Sequence, residues 1–441
     1  MLPSWVHQLW QERIDGVAFI KNETAFRLYS PRQFSKAQNW LEIDVDIELS
    51  DWMTLTSIGR ALIDPANHLE SNTHDFGAGP IDRWASGDFF QAELRELYLE
   101  IVQGDFDLRV GRQQVVWGES LGLRILDVIN PQDFREFILD DFIDARIPLW
   151  GTRLDYTFGD WVFEGVWFLD FEDNRPADLG SEWQFRESGQ LDLFLQSPAI
   201  QLAKTKKPRD GRLSDSEVGF RVTRFMRNMD VSLNYFYAWS DFPVGFRRTI
   251  GGNRFLVEPR HTRFHLLGGT FNYAFDVFVI RGEGGLKLGQ HFVSTDLRDA
   301  DGIRQREFLS YVLGLDWTVN DNLMANFQFF QNVIFNKPSD IPDEAVNNIV
   351  SVFLRADFIN ETLFPELIAL YGINFGELLI RPQIEYQLTD YLSVTLGADF
   401  FIGPRSGFFG QYAAPARRLR RGYFTGRNGR VFLEVKRSFS L

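Results

Sequence analysis

Four carboxylates, Glu42, Asp44, Asp46 and Glu48, stand at alternate positions, interleaved with Leu41, Ile43, Val45 and Ile47. On an extended strand such side chains share one face, about 7 Å apart along it. They repel one another unless cations answer them, and Lys21 and Arg27 on the preceding segment are the expected answers. An unanswered ladder would favour cations in a pore or hold a divalent ion. The histidines offer less. His261 and His265 share a strand face but lie about 13 Å apart along it, too far to chelate one metal. His68, His74 and Asp75 could meet in a loop. No H-E-x-x-H pair occurs, although a Ser/His pair assembled across strands would leave no motif. The expectation is therefore a protein that is not an enzyme, with no metal site and no cofactor.

The elements that carry these residues are strands. Segment after segment of roughly ten residues alternates apolar with polar side chains, the signature of strands with two differently solvated faces. Val231, Leu233, Tyr235, Tyr237 and Trp239 form one apolar face, and Leu392, Val394, Leu396, Ala398 and Phe400 another. About eighteen such segments run between residues 16 and 441, an even number as closure of a bacterial outer-membrane barrel requires, with sixteen as the alternative. Their connections alternate in length. Tight turns such as Ser50-Asp51, Gly104-Asp105, Gly159-Asp160 and Thr389-Asp390 take turns with long loops at 63-89, 117-148, 171-215, 242-260, 290-306 and 403-428. Short turns on one side and long loops on the other describe an all-β, antiparallel up-and-down transmembrane barrel with both termini in the periplasm. Trp52, Phe106, Trp161 and Tyr391, each just after a turn, sit where an interfacial girdle belongs.

Composition agrees. The chain has no cysteine, 43 phenylalanines, 12 tryptophans and a formal net charge of -14. It is thus a poor candidate for a disulfide framework, a thiolate metal site or nucleic-acid binding. No apolar run approaches the roughly 20 residues of a membrane-spanning helix. The N-terminal MLPSWVHQLWQER lacks a basic segment followed by an apolar core, so a barrel of this kind implies a leader already removed. Residues 1-15 read as an amphipathic lead-in, plausible as a helix, and 16-441 as a single barrel.

The rhythm breaks once, between Arg109 and Trp150. Asn130 can cap a helix, Pro131 suits its first position and Asp133 favours the positive end of its dipole. Phe134, Phe137, Ile138 and Phe142 then recur at helical spacing. The expectation is a helix of about three turns, inside a long extracellular loop that folds into the lumen. The blocks RQQVVWGES, VINPQDF and IPLW within this stretch resemble those of an uncharacterised family of Gram-negative outer-membrane proteins. That resemblance implies a porin-like barrel, with export or uptake of hydrophobic or polysaccharide material, and no catalytic residues. The closing strand VFLEVKRSFSL is similar to the C-terminal strands of outer-membrane proteins, which the barrel-assembly machinery reads; it ends in Leu441, with Phe439 two residues earlier, where most end in Phe.

The candidate pore residues follow from the polar faces. Arg109, Arg153, Asp155, Arg281, Glu283, Arg381 and Glu385 point inward from the wall, as do Asp107, Lys287, Gln383 and Gln387, while Arg112, Glu119, Arg124, Asp127 and Asp133 belong to the constriction. The loop at 403-430 has seven arginines and no acid. Arg417, Arg418, Arg420 and Arg421 could meet lipopolysaccharide phosphates outside, or Glu119, Asp140, Asp141 and Asp144 of the insert, the preferred contact. Three functions stay open. They are a channel for small solutes past the inward loop, a conduit or partner for hydrophobic or polysaccharide cargo, and a structural sleeve for another protein. Periplasmic or inner-membrane transport partners and a homo-oligomer are compatible with all three.

Overall fold

The computed structural model describes residues 13–29, 32–66, 85–86, 90–177, 181–185, 197–252, 254–413 and 428–441. Eighteen long strands close a barrel. In chain order they are β1 (Ile14–Arg27), β2 (Phe34–Ser50), β3 (Met53–Ile63), β4 (Phe90–Gln103), β5 (Phe106–Gln113) and β6 (Leu149–Phe158). Next come β7 (Trp161–Phe168), β8 (Glu217–Met226), β9 (Met229–Trp239), β10 (Arg263–Phe275), β11 (Phe278–Val293) and β12 (Ile303–Asn320). The last are β13 (Leu323–Ile334), β14 (Val346–Ala356), β15 (Leu363–Gly372), β16 (Glu377–Thr389), β17 (Leu392–Ile402) and β18 (Arg430–Ser440). Each pairs antiparallel with the next, and β1 closes on β18 from Val17↔Ser440 to Arg27↔Arg430. The barrel sheet is thereby closed on itself, as a hydrocarbon surround demands.

The outward face is what alternation requires. Ile20, Leu41, Ile43, Phe220, Leu233 and Leu396 stand exposed on it, with Leu233 at 75%. On a water-soluble domain such a belt would be an aggregation surface; against lipid it is the matching one. The turn side carries aromatic runs, with Phe106 stacked on Tyr156 at 4.6 Å and Phe275 on Phe278 at 5.5 Å. Among the described residues no helix is long and apolar enough to cross a membrane.

Several boundaries shift outward from the periodicity. β2 starts at Phe34, and β11 and β12 run on to Val293 and back from Ile303, which shortens the expected 290-306 loop to a tip. The 242-260 loop is itself a hairpin of Val244–Gly251 and Arg254–Arg260, flanked in parallel by Ile200–Leu202.

The three-turn helix expected after Asn130 is absent. Only Phe142–Ala145 makes a helical turn, and Asp133–Phe134 pairs in parallel with Arg175–Pro176. Two local facts explain this. The Asn130 side chain accepts the Val115 amide at 2.7 Å and donates to the Ile147 carbonyl at 3.0 Å, so it ties the two stems of the loop together instead of capping a helix. Phe137 has φ +60, a left-handed conformation that breaks any right-handed helix through it.

Candidate functional site

The loop between β5 and β6 turns back inside the barrel and meets opposite walls. Its first part, 117–126, docks on β7 to β11. The Trp117 indole N–H donates to Glu164 of β7. Arg221 of β8 reaches Glu119 at 3.8 Å, and Asn272 of β10 donates to the Glu119 carboxylate. Glu283 of β11 accepts three backbone amides, those of Glu119 at 2.7 Å, Ser120 at 3.1 Å and Leu126 at 2.5 Å. Glycines make the seats. A Cβ at Gly219 would lie 2.6 Å from the Trp117 ring, and Cβ atoms at Gly268 and Gly285 would lie 2.6 and 2.9 Å from Leu126. The wall is bare at those points because the insert presses against it.

The second part, 136–144, docks on the other side through charges. Lys36 of β2, almost wholly buried, holds Glu23 at 2.9 Å, Asp140 at 3.6 Å and Glu136 at 3.8 Å. Arg430 of β18 bridges Glu136 and Asp399, both at 2.8 Å, and Arg381 of β16 joins Asp399 at 2.8 Å and the Leu139 carbonyl at 2.7 Å. Asp144 takes Arg60 of β3 at 2.5 Å and Lys21 of β1 at 3.5 Å, while Arg95 of β4 donates to the Ile143 carbonyl at 2.7 Å. Loop aromatics pack around Phe137, with Phe408 at 4.9 Å and Tyr412 at 4.8 Å. Glu377 holds that loop by accepting the amides of Phe408, Phe409 and Gly410.

The expected pore residues fall into three groups. Glu119, Arg124, Asp127, Asp133, Glu283 and Arg381 belong to the docked insert or its wall contacts. Asp127 is gripped by Arg146 at 2.9 and 3.0 Å and approached by Arg124 at 3.4 Å, whereas Asp133 forks with Arg135 at 2.7 to 3.0 Å. Arg112 donates to the Leu94 carbonyl at 3.0 Å, bracing the root of the insert. Arg109, Arg153, Asp155, Arg281 and Glu385 make no hydrogen bond or ion pair with the insert among the described residues, although Arg281 lines a small pocket with Glu119 and Ser120 and Arg153 reaches Glu164, the acceptor of Trp117, at 3.5 Å. Arg109 pairs with Glu100 at 2.5 Å, Arg153 with Asp155 at 2.5 Å and Arg281 with Asp316 at 2.5 Å.

Two expected pairings differ. Lys21 and Arg27 do not answer the acid ladder, since Lys21 goes to Asp144 and Glu434 and Arg27 to Glu182. Glu42 is met by Arg60 and Asp46 by the Thr56 hydroxyl, because β3 lies on the other side of β2 in register with them. Among the described residues the buried Asp44 Oδ1 has no hydrogen-bond partner. No trio of His, Cys, Asp or Glu is placed to hold a metal among the described residues. His261 turns to the Ser240 carbonyl at 2.6 Å and His265 to the Tyr235 hydroxyl at 2.8 Å. Arg417, Arg418, Arg420 and Arg421, and also His68, His74 and Asp75, lie outside the described residues.

Charge in the insert responds to its burial. Burial pushes the Asp140 carboxyl up to about 7, against Lys36 and with Glu136. Burial would also raise Asp144, but Arg60, Lys21 and Arg95 outweigh it and hold that carboxyl at about 2. Burial raises Glu182 to about 7 despite Arg27. The signs give a pH dependence. An insert released into water has Asp140 near its ordinary value of 3.8, so the docked state holds the proton more tightly. Its contribution to docking is fully present below that ordinary value and is lost as pH rises through about 7. Single-channel records of the wild type should be quieter at about pH 5 than at about pH 8. Asp140→Asn should shrink that difference. An undiminished difference would remove Asp140 from this account.

A closed antiparallel barrel with short turns, long loops, an aromatic girdle and an inward-folded loop defines an outer-membrane barrel of the porin type. Within that class the chain belongs to the family described as protein of unknown function DUF1302, whose model matches residues 36–345. No curated protein matches it. Solved structures share the fold at low identity. Pseudomonas aeruginosa OpdK, solved with vanillate, is 11% identical over 97% of this chain and 99% of that one, with a TM-score of 0.52. Acinetobacter baumannii OccAB1 is 9% identical over 97% and 96%, with a TM-score of 0.54. P. aeruginosa OccK8 (OprE) is 11% identical over 97% and 98%, with a TM-score of 0.53.

Proposed function

We propose that the protein is an outer-membrane channel for small solutes, with both termini periplasmic, and that the β5–β6 insert sets what passes. The observation that carries this reading is the two-sided docking of the insert, on Glu283 and the glycine seats of one wall and on Lys36, Arg60 and Arg430 of the other. A barrel of eighteen strands is wide enough for water unless something fills it. A strap anchored on both sides narrows it and leaves the ions and solutes only the space around the strap. The paired charges of the turn-side vestibule, Arg109–Glu100, Arg153–Asp155 and Arg281–Asp316, then line the route on the periplasmic side.

Swelling of proteoliposomes in sugars of increasing size tests this. The wild type should admit pentoses slowly and exclude trisaccharides, and a variant with residues 119–145 replaced by a short glycine–serine link should admit both. Equal size limits for the two proteins would overturn the role given to the insert.

A further inference from the structure

Between the insert and the loop-side ends of β9, β10 and β11 lies a cavity of about 400 Å³, within the range of small-molecule sites. Much of its wall is aromatic, with Phe134 and Phe242 stacked at 5.9 Å and Phe137, Phe142, Phe264 and Phe408 around them. Four aspartates and two cations also line it. Three of the aspartates have fixed partners: Asp127 has Arg146 at 2.9 Å, Asp133 has Arg135 at 2.7 Å and Asp140 has Lys36 at 3.6 Å. Of the two cations, Arg124 is held by Asp127 at 3.4 Å and by the Phe142 carbonyl at 3.1 Å. Asp241 and Lys287 are left. They attract one another, yet they do not come within 4.0 Å, and among the described residues neither head group makes a hydrogen bond or an ion pair. Lys287 stands over the Phe264 ring at 4.9 Å. Behind Asp241 lie Glu217 and Asp173, themselves taken by the Trp239 amide at 2.7 Å and by Lys207 at 2.6 Å. Opposite charges held apart on one largely apolar wall leave hydrogen-bonding capacity unmet at both, and a ligand that carries both signs meets it without changing the net charge of the cavity.

We infer that this cavity binds an aromatic zwitterion of the α-amino acid type, its ammonium group on Asp241, its carboxylate on Lys287 and its ring among the phenylalanines. A carboxylate alone would face Asp241, and an ammonium group alone would face Lys287, so a ligand with both ends is favoured over one with either. The inference rests on the channel reading for its meaning as a solute site, and it gives that reading a solute class.

Isothermal titration of the full chain in nanodiscs with L-tryptophan, tryptamine and indole-3-propionate, against empty nanodiscs, reads this without any passage through the barrel. The three ligands share the indole and differ in which charged ends they keep. The wild type should bind tryptophan about tenfold or more tighter than either one-ended analogue, as a hydrogen bond to a charged group at each end implies. Lys287→Met should close the gap between tryptophan and tryptamine, and Asp241→Asn the gap between tryptophan and indole-3-propionate, in barrels that keep the electrophoretic mobility of the folded protein. The wild-type ranking needs neither variant to fold. No binding of tryptophan, equal binding of the three, a preference for tryptamine as in a cation site, or a preference for indole-3-propionate as in an anion site would each overturn the inference, and so would a gap left intact in its folded variant. Failure here together with the expected swelling behaviour removes the solute class alone; the expected ranking together with equal size limits in swelling removes the channel reading alone.

Discussion

Replacing Lys36 by Met should release the second half of the insert and raise single-channel conductance several-fold. The ammonium is enclosed by three carboxylates, Glu23, Asp140 and Glu136, at 2.9 to 3.8 Å. Taking one partner from a buried charge cluster costs about 3–5 kcal/mol, because the remaining charges are left uncompensated out of water. Here three acids would be left to repel one another, and two of them belong to the insert. Undocking lets Asp140 and Glu136 reach water, so the cost falls on docking and spares the strand ladder, whose backbone hydrogen bonds are untouched. Lys36→Arg should retain most of the closed behaviour. Lys36→Met/Asp140→Asn should recover part of it, since one carboxylate no longer has to be charged. Conductance unchanged in Lys36→Met, with a correctly folded barrel, would mean that this cluster does not hold the insert.

Glu283→Leu should have a comparable effect at the other end. One carboxylate satisfies the amides of Glu119, Ser120 and Leu126, and leucine offers no acceptor to any of them. Each buried donor left without a partner costs about 1–3 kcal/mol. The leucine also needs room where the Gly118 backbone stands, since a Cβ there would already lie 3.0 Å from Glu283. Residues 118–126 should leave the wall and conductance should rise in bursts, as the second anchor still holds. Glu283→Gln keeps one oxygen acceptor and should fall between leucine and wild type. The two leucine and methionine changes combined should leave the insert free at both ends. Single-channel open probability measures all of these, and identical records for Glu283→Leu and wild type would contradict the first anchor.

The strands were legible because a barrel wall has two solvents. Lipid outside and water or the insert inside impose a period of two on β2, β9 and β17. Turn and loop lengths then gave the topology. The insert was legible as a break in that rhythm, and its place in the long-loop series led to the expectation that it folds inward. Its local structure was not. The spacing of Phe134, Phe137 and Phe142 suggests a helix, but those rings face different neighbours, Phe242, Phe408 and Arg124, across an irregular loop. Periodicity reports which side chains are buried and cannot distinguish a helix face from a loop enclosed on all sides.

The anchors were only half legible. Glu283 and Arg381 were placed on the inward face, but Lys36, Arg60, Trp117 and Arg430 were missed as a set. Their partners lie far along the chain, 294 residues apart for Arg430 and Glu136, and no local pattern signals such a pair. Gly268-Gly269 and Gly284-Gly285 carried a signal that could have been used. Paired glycines in the middle of two long strands weaken both unless something packs closely on the bare backbone. The acid ladder is answered from β3 and not from β1, since alternation fixes the face of a strand without choosing between its two neighbours.

The most direct test of the central claim is the single-channel conductance of the wild type beside the variant in which residues 119–145 are replaced by a short link. Two-sided docking predicts a small conductance for the wild type and a severalfold larger, steady one for the variant. A wild type that already conducts as freely as the shortened barrel would contradict it.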